Sequence, residues 1–402
     1  MENLNSTPMS NRYTIGIFGR RNVGKSSLIN AITNQKIAVT SDVEGTTTDP
    51  VYKAMELLPV GPVVLIDTAG LDDVGELGKL RVEKTYEVLR KCDFAIVVTD
   101  QKGITSFEKE FLAELKERKI NFVLVVNKSD DKNAKIQIDD DIPFVYASAK
   151  NNFGIEEIKG MVIASTAQSD EKKSLVDGLL GQGDVAILVT PIDESAPKGR
   201  LILPQQQTIR DILDVGATAF LTQENELKNV LDSLKNPPKI VITDSKVFKT
   251  VSRDVPPHIP LTSFSILFAR QKADIAEMVR GVKFVEKLSD GDKVLIVEGC
   301  THHRKDDDIG TVKIPNLINK MTGKNIEYEW ASGAHYPKDI DKYDLIIHCG
   351  GCMLNDKEMQ YRVSKAKRKG LHITNYGVFL AYVTQTFPRA LEPFPQAMFA
   401  LK

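Results

Sequence analysis

TIGIFGRRNVGKSSLIN, residues Thr14–Asn30, decides the fold of this 402-residue chain. A β-rich apolar run ends at Gly19 and an amphipathic stretch opens at Lys25, with Gly19, Gly24, Lys25 and Ser26 in the spacing GxxxxGK(S/T). A loop of this kind wraps phosphate. Its glycines let backbone N–H groups approach the anion, Lys25 reaches the β and γ oxygens, the Ser26 hydroxyl binds Mg2+, and the helix N-terminus favours negative charge. The candidate contacts within the loop are Gly19, Arg20, Asn22, Val23, Gly24, Lys25, Ser26 and Ser27.

Outward from this segment the same grammar repeats. VVLIDTAG (63–70), FAIVVTD (94–100) and NFVLVVNKSD (121–130) are apolar runs that end in polar or glycine turns, the pattern of parallel strands joined by crossover helices. DTAG supplies Asp67 to the Mg2+ shell and the Gly70 amide to a γ-phosphate. NKSD places Asn127, Lys128 and Asp130 at a strand end, where the Asp130 carboxylate can accept both the N1–H and the N2 amino group of guanine. Adenine offers neither in that arrangement, and a buried carboxylate left unmatched makes the wrong base costly. One strand later, Ser148, Ala149 and Lys150 (SAK) offer the Ala149 amide to guanine O6. The ligand read from these residues is GTP with Mg2+.

Together the motifs resemble the translation-factor-like GTPases, and GRRNVGKSS with GTTTD (45–49) resembles the TrmE/Era/EngA branch over about 13–165. The resemblance implies that Thr47 binds Mg2+ in the triphosphate state. It also implies that Asn22 helps hold a K+ ion where other GTPases use an arginine finger. Leu71 follows DTAG and cannot orient water as a glutamine does, so a cation is needed to stabilise transition-state charge. Lys25, Thr47, Gly70 and Asn22 form the candidate catalytic set.

After a polar stretch, AQSDEKKS (167–174), the alternation restarts with VAILVTPI (185–192), helices over about 205–215 and 224–234, and the runs ATAFLTQ and KIVITDSK. The proline-rich VPPHIP (255–260) marks a boundary, and TSFSILFA (262–269) reads as a further strand. Beyond it come an amphipathic helix over 273–288, the strands KVLIVEG and DLIIHCG, and a basic helix over about 356–369. The fold class expected is α/β: a P-loop GTPase domain with a mainly parallel sheet (1–168), followed by two smaller α/β domains over 169–262 and 263–402. The length agrees with two to three domains. A net charge of −1 argues against a global nucleic-acid or membrane-surface binder. No apolar run is long enough for a membrane span, and a polar N-terminus with four cysteines points to a reducing cytoplasm.

Three of those cysteines carry the second chemistry. Cys300 follows KVLIVEG in EGCTHH, and Cys349 and Cys352 follow DLIIHCG in HCGGC, so two strand ends can bring three thiols together. A third thiol favours a metal site over a redox pair. Zinc would be closed by His302 or His348 as Cys3His, whereas a 4Fe-4S cluster would leave one iron to Glu298, His302 or an exchangeable ligand. Cys92 reads as an ordinary buried thiol.

A GTPase segment followed by CxH (Cys300, His302) and HCxxC (His348–Cys352) resembles the HydF family, the GTPases of iron-only (FeFe) hydrogenase maturation. The resemblance implies a homodimer with a 4Fe-4S cluster on Cys300, Cys349 and Cys352. It further implies a scaffold or carrier for the di-iron subcluster, with two radical-SAM maturases and the apo-hydrogenase as partners. A rival reading is an RNA-associated GTPase of the TrmE/Era type with a structural zinc, for which the basic run KAKRK (365–369) would be the footprint.

Overall fold

The computed structural model describes residues 7–34, 50–72, 75–130, 136–168, 174–192, 201–299, 308–333 and 336–401. The chain divides into two compact units, Met1–Glu171 and Lys172–Lys402. Among the described residues no helix is long and apolar enough to cross a membrane.

The first unit is one six-stranded sheet with β1 (Tyr13–Gly19), β2 (Val51–Leu57), β3 (Gly61–Asp67), β4 (Phe94–Thr99), β5 (Asn121–Val126) and β6 (Phe144–Tyr146). Its order is β2-β3-β1-β4-β5-β6, and every pairing is parallel except that of β2 with β3. The central strands β1 and β4 are buried along almost their whole length because helices cover both faces. One apolar cluster, including Ile17, Leu28 and Ile158, fills one face, and a second, including Phe18, Leu89 and Phe111, fills the other. Strand β2 lies at the edge and alternates in burial, which a continuous apolar run does not reveal.

The second unit holds two small sheets over one shared core. The first contains β7 (Val185–Val189), β8 (Thr218–Thr222), β9 (Ile240–Thr243) and β10 (Leu261–Ser263) in the order β10-β9-β7-β8. The second contains β11 (Lys293–Glu298), β12 (Glu327–Ser332), β13 (Leu345–His348) and β14 (His372–Asn375) in the order β12-β11-β13-β14. Both are wholly parallel. Each has the doubly wound order in which the first and third strands lie side by side, so the loops leaving their carboxyl ends diverge and open a crevice.

Two expectations need correction. TSFSILFA is not a strand: only Leu261–Ser263 is extended, and Phe264–Lys272 is a helix capped by Ser263, whose Oγ accepts the Ile266 N–H at 3.3 Å. Helical spacing buries Phe264, Ile266, Leu267, Phe268, Ala269 and Lys272 together, and a short apolar run does not distinguish a buried helix from a strand. The boundary drawn after 262 therefore falls inside β10, which pairs with β9. The 273–288 helix resolves into Ile275–Val282, capped by the Asp274 carboxylate, and a 3-10 turn over Lys283–Lys287.

Gly281 shows how closely that helix sits on its sheet. A Cβ there would lie 2.0 Å from the Ile373 carbonyl oxygen in β14, which is backbone and cannot rotate aside. Gly281→Ala should therefore destabilise the second unit by about 1–3 kcal/mol, seen as a lower urea midpoint. An unchanged midpoint would contradict this packing.

Candidate nucleotide and metal sites

β1 delivers the chain into the phosphate loop at Gly19, whose φ of +145° no ordinary side chain tolerates. A Cβ there would also stand 2.2 Å from the Val98 carbonyl oxygen. Gly24, at φ +93°, opens the helix Lys25–Thr33 and sits so close to Asn127 that a Cβ would lie 2.4 Å from Nδ2. Lys25 is buried, and its Nζ donates to the Gly19 and Arg20 carbonyls, both at 2.8 Å. The loop's N–H groups, the helix N-terminus and an ammonium thus lie in one turn of chain.

The Mg2+ position is legible from what Asp67 lacks. Ser26 Oγ donates to Asp67 Oδ2 at 2.6 Å, while Oδ1 is buried without a hydrogen bond. Burial pushes the Asp67 pKa up, against the opposing pull of Ser26, Lys25 and Lys53. A dry carboxylate oxygen beside a serine hydroxyl is a hard-oxygen donor set of the kind Mg2+ takes. Thr47, expected on the same ion, lies outside the described residues.

DTAG packs directly on the phosphate loop. A Cβ at Gly70 would be 2.5 Å from Arg21 Cγ, Leu71 N–H donates to the Gly19 carbonyl at 3.2 Å, and Arg21 N–H donates to Asp72 Oδ1 at 2.8 Å. The Leu71 side chain joins the apolar cluster of Phe18 and Ile66. Asn22 is exposed at φ +61°.

Asn127 ties three motifs together. Its Nδ2 donates to the Val23 carbonyl at 2.8 Å and its Oδ1 accepts the Ala149 N–H at 3.2 Å, so loop, NKSD and SAK share one amide. Lys128, at φ +60°, donates from Nζ to the Asn22 carbonyl at 2.5 Å. Asp130 is oriented through Oδ1, which accepts from Ser148 Oγ and, at 3.1 Å, from Asn151 Nδ2. Ser27 and Lys150 are exposed on the same unit. Asn151 and Asp72 were missed in the sequence reading, and only their neighbours signalled them.

The Arg20 side chain is engaged on the far side of the loop. Its Nε donates to Glu108 at 2.5 Å and its Nη2 to Thr99 Oγ1 and the Gly103 carbonyl at 3.3 and 3.2 Å. Glu108 is fully buried and also forms the capping box with Thr105 that starts the helix Ser106–Glu117. The guanidinium therefore neutralises a buried carboxylate and holds the loop from outside. The Thr105-x-x-Glu108 spacing was the available signal.

In the second unit three of the metal candidates, Glu298, Cys349 and Cys352, are described. Glu298 ends β11, and Cys349 follows β13, whose His348 pairs with Val297. Cys349 Sγ accepts two backbone N–H bonds, from Gly299 at 3.0 Å and Gly351 at 3.3 Å. Gly351 takes φ +66°, which turns the loop back toward the sulfur. Backbone amides converging on one sulfur stabilise a thiolate, the form that binds metal. Cys352 lies on the same loop, half-buried; burial raises its pKa and the Lys272 charge lowers it. Glu298 is buried and accepts from Tyr376 Oη at 3.2 Å. Cys300 and His302 lie outside the described residues. Among the described residues no group of three His, Cys, Asp or Glu side chains is gathered to hold a metal ion; Cys349 and Cys352 supply two thiols on one loop, the ligand type an iron–sulfur group takes.

His348, one of the two histidines offered to zinc, has both ring nitrogens engaged. Arg362 has no acceptor, so its Nη1 donates to His348 Nε2 at 3.1 Å, which leaves the proton on Nδ1 to donate to the Cys349 carbonyl at 2.9 Å. Burial and the Arg362 charge lower the His348 pKa to about 3. Arg362 is itself fully buried, bound to Glu358 at 2.8 Å and the Gly333 carbonyl at 3.0 Å. The two residues stand at i, i+4 on one helix, a spacing that by itself does not tell a buried pair from an exposed one. Cys92 is buried in the first unit, its thiol pushed up by desolvation. The KAKRK run is engaged locally: Lys365 donates to the Pro337 and Lys338 carbonyls and Lys369 to Asp341.

Three family models match consecutive segments. Residues 14–128 match a 50S ribosome-binding GTPase, 175–273 the hydrogen maturase F dimerization domain, and 276–393 the hydrogen maturase F tetramerization domain. The last two together span more than half of the chain. Among curated relatives, the tRNA modification GTPase MnmE of Heliobacterium modesticaldum is 35% identical over 156 residues, covering 36% of this chain and 32% of its own. MnmE of Caldicellulosiruptor saccharolyticus is 29% identical over 232 residues, covering 55% and 46%. GTPase Der of Campylobacter hominis is 31% identical over 188 residues, covering 44% and 41%. The chain thus spans less than half the length of these curated relatives. Among solved structures, the G domain of the T. maritima FeoB iron transporter covers 39% of this chain and 99% of its own, at 24% identity and a TM-score of 0.31.

Arg20→Ala would leave the Glu108 carboxylate buried and unneutralised, at a cost of about 2–3 kcal/mol after allowing for the partial exposure of Arg20. Guanine-nucleotide affinity at saturating Mg2+ should change less than about tenfold. A large affinity loss with unchanged stability would instead show the Arg20 side chain to be a nucleotide contact.

Proposed function

The chain belongs to the hydrogen maturase F family, and from that membership we propose a GTP-hydrolysing scaffold and carrier for the di-iron subcluster of FeFe-hydrogenase. Its own residues divide the work between two units. In the first, Gly19, Gly24 and Lys25 hold the phosphates, Ser26, Thr47 and Asp67 hold Mg2+, and Gly70 meets the γ-phosphate. Asn127, Asp130 and Ala149 select guanine. Ser27, Lys128, Ser148 and Lys150 line the same pocket, and Lys128 is already fastened to the phosphate loop through Asn22.

Hydrolysis needs positive charge at the γ-phosphate that these residues do not wholly supply. Leu71 lies in the core and cannot position water. We assign the missing charge to K+ held by Asn22, whose exposed left-handed backbone stands at the loop's mouth. Turnover at equal ionic strength should be at least about tenfold faster in K+ than in Na+. Equal rates would refute the assignment.

In the second unit Cys300, Cys349 and Cys352 would hold a 4Fe-4S cluster, with the fourth position taken by Glu298, His302 or incoming cargo. Such a cluster supplies an iron with an exchangeable ligand, to which a precursor can bridge. The observation that carries this reading is Cys349 Sγ, which accepts two amides at the crevice of a doubly wound sheet. The working form is a homodimer built on 175–273, with radical-SAM maturases and the apo-hydrogenase as partners. GTP turnover in this scheme changes partner affinity and does no cluster chemistry.

Reconstituted anaerobically with iron and sulfide, the chain should acquire about four irons and a reduced-state EPR signal, both lost in Cys349→Ser and Cys352→Ser. A colourless protein with stoichiometric zinc would overturn the cluster reading.

A further inference from the structure

Asp72, just past DTAG, reaches back onto the phosphate loop. Its Oδ1 accepts the Arg21 N–H at 2.8 Å. A Cβ built on Gly70 would lie 2.8 Å from that same oxygen and 3.0 Å from the Arg21 nitrogen, so one carboxylate oxygen is seated in the angle between the loop and Gly70. The Leu71 N–H, donating to the Gly19 carbonyl at 3.2 Å, fastens the intervening backbone to the loop.

That angle is where a γ-phosphate has to come. Arg21 lies inside GxxxxGK, whose backbone N–H groups wrap bound phosphate, and Gly70 is the residue whose amide is offered to the γ-phosphate. A carboxylate is an oxyanion, and a backbone N–H bonds to it as it would to a phosphate oxygen. A second anion brought beside the first meets like-charge repulsion. GDP ends at its β-phosphate and leaves the carboxylate where it is, whereas GTP carries another anionic group into the same space.

We propose that Asp72 is an internal stand-in for the γ-phosphate, seated on the loop while triphosphate is absent and evicted when it binds. This role rests on the nucleotide site described above. Eviction costs the Arg21–Asp72 bond, so Asp72 lowers the affinity for GTP without lowering that for GDP, and thereby sets the ratio of the two. It also converts the γ-phosphate into a movement. Asp72 stands shortly before the helix Gly75–Leu89, and releasing its carboxylate frees the approach to that helix from the loop. Departure of phosphate after hydrolysis lets the carboxylate return. Asp72 is a positioning residue and touches no reacting atom.

Asp72→Ala removes the carboxylate, and Asp72→Asn keeps an acceptor of the same shape without the charge. Calorimetry on the full chain at saturating Mg2+ compares GDP with the non-hydrolysable β,γ-imido analogue of GTP. The alanine variant should bind the analogue at least about tenfold more tightly than wild type, with GDP affinity unchanged within about twofold, and the asparagine variant should lie between. Damage to the loop as a whole would move both nucleotides together, and that result would overturn the proposal. So would a weaker analogue with GDP unchanged, which would make Asp72 a support of the bound triphosphate. If the alanine variant does not fold, Asp72→Asn supplies the same ratio alone. A wild-type chain that binds neither nucleotide would overturn the nucleotide site and this role with it, whereas a wild type that binds both, with the ratio unshifted in the variants, defeats Asp72 alone.

Discussion

Burial of parallel strands on both faces is the constraint on which the rest of this structure depends. Strands such as β1, β4, β11 and β13 are enclosed by helices, so the polar chemistry of the chain can emerge only where they end. In the first unit those carboxyl ends present Gly19, Asp67 and Asn127. In the second, β11 and β13 present Glu298 and Cys349 on either side of the crevice that their order creates. The nucleotide loop and the cysteine loop are two uses of one architectural device.

Both loops are held by buried polar groups reaching in from helices. Glu108 grips Arg20 behind the phosphate loop, and Arg362 grips His348 behind the cysteines. Each pair is secured again, by the Thr105 cap in one case and by Glu358 in the other. Such groups add little net stability after desolvation, and their value lies in fixing one geometry, since every alternative leaves a buried charge unmatched. The histidine of HCGGC is part of this frame: both ring nitrogens are occupied, and it orients the Cys349 carbonyl.

The motifs were legible because their chemistry demands particular residues at fixed spacing. GRRNVGKSS, DTAG and NKSD each fall at the strand end where they were expected. Cys349 and Cys352 do fall on the loop that follows β13, while Cys300 lies outside the described residues. What escaped was whatever depends on a distant partner: β12 and β14 do not stand out as apolar runs in sequence, and Phe264–Lys272 was hidden because a buried helix and a buried strand share composition. The burial of Lys272, Arg362 and Glu358 was not legible, since nothing local reveals that a lysine ends beneath a loop some eighty residues away.

The central claim is that the crevice between β11 and β13 is built to hold iron on Cys349 and Cys352. It is tested most directly by diffraction from anaerobically grown crystals, measured above and below the iron absorption edge. The account predicts an anomalous iron peak within bonding distance of both sulfurs, with His348 still bound to Arg362. A crevice without iron, a peak that persists only at the zinc edge, or an imidazole turned from Arg362 onto the metal would contradict it.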